Sequence, residues 1–159
     1  MLRILSKSPS ETKTWGKRLS ELLRGDEVIA LSGDLGSGKT TFVKGLALGL
    51  GVSEEYIGSP SFTILNEYQG RLVLFHFDFY RLGDLQDLEG VGFWDYLGQG
   101  VVVVEWASKI PVAIPEEALW IHFEVLDSEK RYLSFEGKKG RGKELVEGLS
   151  LRSYNQSQF

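Results

Sequence analysis

The chemistry of this chain is concentrated in one run of residues. Gly33-Asp34-Leu35-Gly36-Ser37-Gly38-Lys39-Thr40 satisfies the pattern G-x-x-x-x-G-K-[ST] at every fixed position. Three glycines let the backbone curl until its N–H groups face inward toward an anion. Lys39 adds a compact positive charge for the β- and γ-phosphates of a nucleotide. Thr40 offers a hydroxyl to Mg²⁺, and Thr41, one residue further, reaches a phosphate oxygen. Such a loop works only between a strand and the N-terminus of a helix, where the helix contributes roughly half a positive charge. Both neighbours are legible. Val28 to Leu31 is a short apolar run, and from Thr40 to Leu50 the apolar positions Phe42, Val43, Leu46, Ala47 and Leu50 recur with helical period.

A magnesium–phosphate site also needs a carboxylate at the end of a neighbouring strand. Two runs supply one. Leu72 to Asp78 ends in Asp78, and the β-branched run Val101 to Glu105 ends in Glu105. Either carboxylate suits the role. The Asn-Lys-x-Asp element that reads guanine is absent from the sequence, so adenine is the expected base, with ATP and Mg²⁺ as cofactors. Two other readings share the same loop: a small-molecule kinase, and a nucleotide-dependent interaction module with negligible turnover. A kinase needs basic residues near the γ-phosphate. Between Asp78 and Glu105 there is only Arg81, against Asp84, Asp87, Glu89 and Asp95. His76 and His122 read as strand histidines. Trp15, Phe62 and Trp94 read as core, and Trp106, beside Glu105, is placed to reach the site.

The remaining elements must hold these groups. Ser8-Pro9-Ser10-Glu11 has the form of a capping box, and Trp15, Leu19, Leu22 and Leu23 follow at helical spacing, with Gly25 expected as the left-handed cap. Gly45 and Gly49 each weaken the following helix by roughly 1 kcal/mol relative to alanine, which predicts close packing there. Thr63 to Tyr68 and Leu72 to Phe79 flank Gln69-Gly70 as a hairpin. Asp84 to Leu97 reads as a helix or broken helix, and Leu119 to Val125 with Tyr132 to Phe135 as a closing pair of strands. This order implies a three-layer α/β fold of the P-loop NTPase-like kind, with a mixed parallel and antiparallel central sheet. Residues 1–152 are expected to form one domain, and Ser153 to Phe159 a frayed tail.

Composition narrows the setting. The chain has 159 residues, 42% hydrophobic and 25% charged, with a net charge of -4. A mildly acidic surface gives no general attraction to nucleic acid or anionic lipid. There is no cysteine, hence no disulfide-linked partner and no thiolate metal site. The longest apolar runs fall far short of the about 20 residues that cross a bilayer, and no signal-peptide core opens the chain. A cytoplasmic protein without membrane attachment is expected.

Four segments together resemble the TsaE (YjeE) family. They are Gly33 to Phe42, then Ser59-Pro60-Ser61-Phe62-Thr63, then His76-Phe77-Asp78-Phe79-Tyr80-Arg81-Leu82, then Glu105-Trp106. The resemblance runs from about Ser10 to Trp106. Ser37 stands where the family commonly has alanine, and Ser61 where it has threonine. The resemblance implies a bacterial ATPase acting with TsaB and TsaD to install the threonylcarbamoyl group on the adenosine 3′ of the anticodon, with tRNA engaged indirectly through the complex. It implies magnesium ligands at Thr40 and Glu105 and a Walker B-like aspartate at Asp78. It further implies a switch-like loop at Ser59 to Thr63 and a nucleotide contact at Thr12.

Overall fold

A computed structural model describes residues 1–57 and 64–157, with side chains to residue 153. Ser59 to Thr63, expected to form a switch, lie outside the described residues.

The centre of the molecule is β5 (Val101–Glu105), buried along its whole length. Val101 and Val103 face one apolar cluster, and Val102 and Val104 face the other. A continuous β-branched run is what a strand covered on both faces requires. It pairs in parallel with β2 (Val28–Ser32) and with β4 (Val73–Asp78). Beyond β4 lies β3 (Leu65–Gln69), antiparallel as the hairpin at Gly70 predicts. On the other side β2 pairs in parallel with β6 (Leu119–Val125), which turns back into β7 (Arg131–Glu136). The outer strand is β1 (Leu2–Ser6), antiparallel to β7. The resulting sheet has seven strands in the order β1-β7-β6-β2-β5-β4-β3.

One face carries α1 (Pro9–Ser20), α2 (Lys39–Gly49) and α5 (Gly140–Ser157), through Trp15, Leu19, Phe42, Leu46 and Leu149. Phe42 is fully buried and sits edge-on to Phe123 at 5.8 Å; its truncation to alanine is worth about 3–5 kcal/mol. The other face carries α3 (Leu85–Gly90) and α4 (Phe93–Tyr96), broken apart at Gly92 with φ 70°. Phe77 and Phe79 pack edge-on against Phe93 there. Helices on both faces of a mixed sheet complete the three layers expected.

The glycines of α1 and α2 explain how close the two helices lie. A Cβ on Gly45 would fall 2.1 Å from the Lys13 carbonyl oxygen, and one on Gly49 2.1 Å from Ser20 Oγ. Three features differ from the sequence reading. First, α1 ends at Ser20, and Gly25 (φ 120°) instead shapes the loop that follows. Second, Leu2–Ser6, to which the sequence reading assigned no element, form the edge strand β1. Third, α5 forms from the charged C-terminal stretch and stays helical to Ser157, through most of the segment expected to fray. Among the described residues, no helix is long and apolar enough to cross a membrane.

Candidate functional site

β2 delivers the chain to Gly33 at the C-terminal edge of the sheet. Gly33 has φ 145°, and a Cβ there would fall 2.7 Å from the Phe123 carbonyl oxygen. Only glycine lets the loop leave the strand so close to β6. Gly38 (φ 104°) closes the loop as the N-cap of α2. The Phe42 N–H donates to the Gly38 carbonyl at 2.9 Å, and Ser37 N–H to the Asp34 carbonyl at 3.1 Å. The N–H groups of a first helical turn have no partners within the helix, so the curled loop presents donors to its concave side.

Lys39 is buried against its own loop. Its Nζ donates to the carbonyls of Gly33 (2.5 Å) and Asp34 (2.8 Å) and to Ser37 Oγ (3.2 Å). It also stands 4.2 Å above the Trp106 ring. Burial lowers the Lys39 ammonium below its ordinary value, while the charges of Glu105, Asp34 and Asp78 pull the other way. The Ser37 hydroxyl, at a position where the family commonly has alanine, thus helps hold Lys39.

Because β4 and β5 are parallel neighbours, Asp78 and Glu105 end side by side in register. Glu105 Oε1 accepts the Thr40 hydroxyl at 2.9 Å, and Oε2 lies 2.5 Å from His76 Nε2. Asp78 Oδ1 accepts the Tyr80 N–H at 2.9 Å. Burial pushes the Asp78 carboxyl up; the Tyr80 N–H opposes the rise and Glu105 adds to it. Trp106 follows with φ 58°, the sole non-glycine residue at positive φ among the described residues. This left-handed conformation costs of the order of 1–3 kcal/mol and is typical of functional sites. It turns the ring under Lys39, where Tyr80 packs on it at 5.0 Å.

These groups line one cavity of about 300 Å³. Leu35, Gly36, Ser37, Gly38, Lys39, Thr40 and Thr41 come from the loop and helix, Asp78, Glu105 and Trp106 from the strand ends. Gly33 and Asp34 stand behind it, holding Lys39 through their carbonyls. Thr12 lines the rim from α1, but its Oγ1 is hydrogen-bonded to Ser6 Oγ at 2.7 Å. Arg81, the basic residue singled out in sequence, is exposed and does not line the cavity. Arg131 does, together with Glu129. Its guanidinium donates to the carbonyls of Gly36 (3.1 Å), Asp127 (2.6 Å) and Lys130 (2.9 Å). The signal for Arg131 was topological: β6 runs parallel to β2, so the turn into β7 must lie at the same end as the loop. His122, on β6, bonds Ser32 at the root of the loop through Nδ1.

Chemically, the concave loop, the helix start and Lys39 suit an anion of the polyphosphate kind. One hydroxyl and two carboxylates on the opposite wall are hard oxygen donors that fit Mg²⁺.

A mixed, helix-covered sheet with this loop between its strand β2 and helix α2 places the protein in the P-loop NTPase-like class of α/β folds. Comparison with known proteins narrows the class: the chain belongs to the TsaE family. The family model, described as threonylcarbamoyl adenosine biosynthesis protein TsaE, matches residues 6–146, a wider span than the motifs alone carried. A relative from Treponema pallidum, named tRNA threonylcarbamoyladenosine biosynthesis protein TsaE, is 43% identical over 134 residues, covering 84% of this chain and 98% of the relative. One of the same name from Bacillus subtilis is 41% identical over 145 residues, 90% of each chain. The crystal structure of Bacillus subtilis YdiB superposes with a TM-score of 0.79 at 38% identity, covering 96% of this chain and 95% of that one.

Proposed function

We propose that this protein binds and hydrolyses ATP with Mg²⁺, and that it does so in the threonylcarbamoylation of the adenosine 3′ of the tRNA anticodon, acting with TsaB and TsaD. The observation that carries the ATP reading is the convergence of Lys39, Thr40, Asp78 and Glu105 on one cavity. The pathway rests on family membership. In this reading the loop N–H groups and Lys39 bind the β- and γ-phosphates, with Lys39 leaving the Gly33 and Asp34 carbonyls to do so. Thr40 and Glu105 hold the cation, which neutralises phosphate charge as it develops. Asp78 orients water or braces the metal shell; its half-buried, up-shifted carboxyl is suited to accepting a proton. Arg131 braces the loop from the far wall. Thr12 limits the rim, where the nucleotide contact implied for it falls.

Among the described residues, nothing covers the cavity as a kinase lid would. The segment between Asp78 and Glu105 packs its Leu88 and Phe93 into the cluster on the opposite face of the sheet and contributes no residue from α3 or α4 to the cavity. Arg131 is held on four carbonyls, those of Gly36, Asp127, Ser128 and Lys130, so the isolated chain is expected to be a slow ATPase; a missing arginine finger costs about 10³–10⁵ in rate. The test is phosphate release and ATP binding by the purified chain, by Lys39→Ala, and by the chain with TsaB and TsaD added. Lys39→Ala should lose tight binding and turnover, and the partners should raise the rate of the parent. Parent-like turnover by Lys39→Ala contradicts the site. Phosphorylation of a small acceptor without the partners supports the kinase, and no phosphate release under any condition supports a binding module.

A further inference from the structure

Glu105 is 3% exposed, yet no cation is hydrogen-bonded to it among the described side chains unless His76 carries one. Its two oxygens are divided: Oε1 takes the Thr40 hydroxyl and Oε2 faces His76 Nε2. His76 lies on β4, two residues before Asp78 and so on the same face of the strand, and is 1% exposed. Its other ring nitrogen, Nδ1, is buried without a hydrogen-bond partner among the described residues. A carboxylate only accepts, so Nε2 must hold a proton to bond it. As core filling the ring is a poor choice, because a polar atom buried unpaired carries a desolvation cost that leucine would avoid.

We propose that His76 is the positioning residue of the Glu105 carboxylate: by engaging Oε2 it fixes the rotamer that leaves Oε1 turned toward Thr40 and the divalent cation. This rests on the ATP–magnesium reading above. Groups that hold a metal's ligand from behind are worth about 10- to 100-fold in metal affinity.

The experiment titrates Mg²⁺ at fixed concentrations of a non-hydrolysable ATP analogue and follows nucleotide binding for the parent, His76→Leu and His76→Gln. His76→Leu should need about 10- to 100-fold more Mg²⁺ than the parent, with unchanged binding in excess EDTA. His76→Gln, whose amide N–H can reach Oε2, should recover most of the difference. A leucine variant with the parent's Mg²⁺ midpoint, or a glutamine variant no better than leucine, overturns the role. A measurement on the unaltered fold covers the case in which His76→Leu does not fold. The protein has two histidines, so imidazole ¹⁵N spectra of the parent, assigned with His122→Asn, isolate His76. They should show Nε2 protonated and should shift when Mg²⁺ joins saturating nucleotide; an Nε2 without a proton or signals indifferent to Mg²⁺ overturn it. A parent with no magnesium-linked nucleotide binding removes the ATP reading and this role together, whereas a parent with the linkage and a leucine variant that keeps it removes the role alone.

Discussion

Glu27 and Glu105 are both 3% exposed, and they are buried in opposite ways. Glu27 is surrounded by donors. The N–H groups of Arg24, Gly25 and Asp26 point at its carboxylate, and Arg141 Nε lies 2.9 Å from Oε2. Arg141 also bonds the Leu22 carbonyl and Glu144, so one guanidinium pins α5 to the turn after α1. Glu105 has a threonine hydroxyl and a histidine, and it opens onto a cavity. A buried carboxylate with backbone donors and an arginine is complete; one held only by a hydroxyl and an imidazole still has capacity for a cation. The first kind holds a fold together, and the second serves a site.

Mutation separates the two. The largest effect belongs to Glu105→Gln, which keeps the shape and removes the charge. It should lower magnesium-dependent ATP turnover by about 100-fold or more while the thermal midpoint stays near that of the parent. A large fall in midpoint with normal magnesium dependence would make Glu105 a second staple. Glu27→Ala should do the reverse, because it strands Arg141. A loss of about 3 kcal/mol corresponds to roughly 6–12 °C in Tm for a chain of this size, with ATP affinity unchanged below the transition. Weakened ATP binding by folded Glu27→Ala would tie the two regions together.

Asp78→Asn should be milder than Glu105→Gln. It is expected to cut hydrolysis about 10-fold and binding much less, as a group acting mainly in the transition state does; equal losses in both would argue for a ground-state role. The smallest effect is a pH dependence. Burial raises the Glu27 carboxyl, but hydrogen bonds from Gly25, Arg24 and Arg141 outweigh it and hold the group below its usual range. The folded protein then binds that proton less readily than the unfolded chain. The stability Glu27 contributes is fully present above the ordinary glutamate value of about 4.3 and is lost as pH falls through the lower folded value. Stability curves for the parent and Glu27→Gln should therefore converge in acid. A gap that stays constant below pH of about 4 would show that the charge is not what matters.

Much of this was legible in the sequence, for a definite reason. The loop, α2, β4 and β5 are specified locally, by glycine positions and by runs whose period or branching admits one structure. Asp78 and Glu105 could be placed because a strand end is a local feature. What escaped depends on residues distant in sequence. Arg131 reaches Gly36 across 95 positions, through a strand order that no local pattern encodes. The bond between His76 and Glu105 follows from the neighbouring of β4 and β5, so the histidine read alone looked like strand filling. α5 was missed because its apolar positions Leu145, Val146 and Leu149 are few among charges, and docking onto the sheet rather than propensity makes it a helix. Gly25 misled because a positive-φ glycine serves a carboxylate-binding turn as readily as a helix cap.

The cavity should hold a magnesium nucleotide with its phosphates in the loop. A crystal structure with Mg²⁺ and a non-hydrolysable ATP analogue tests it directly. In it Lys39 Nζ should have moved from the Gly33 and Asp34 carbonyls to the β- and γ-phosphates, with Thr40 Oγ1 and Glu105 in the shell of the cation. Phosphates bound elsewhere, with Lys39 still on its own loop and Glu105 still closed on Thr40, would contradict it.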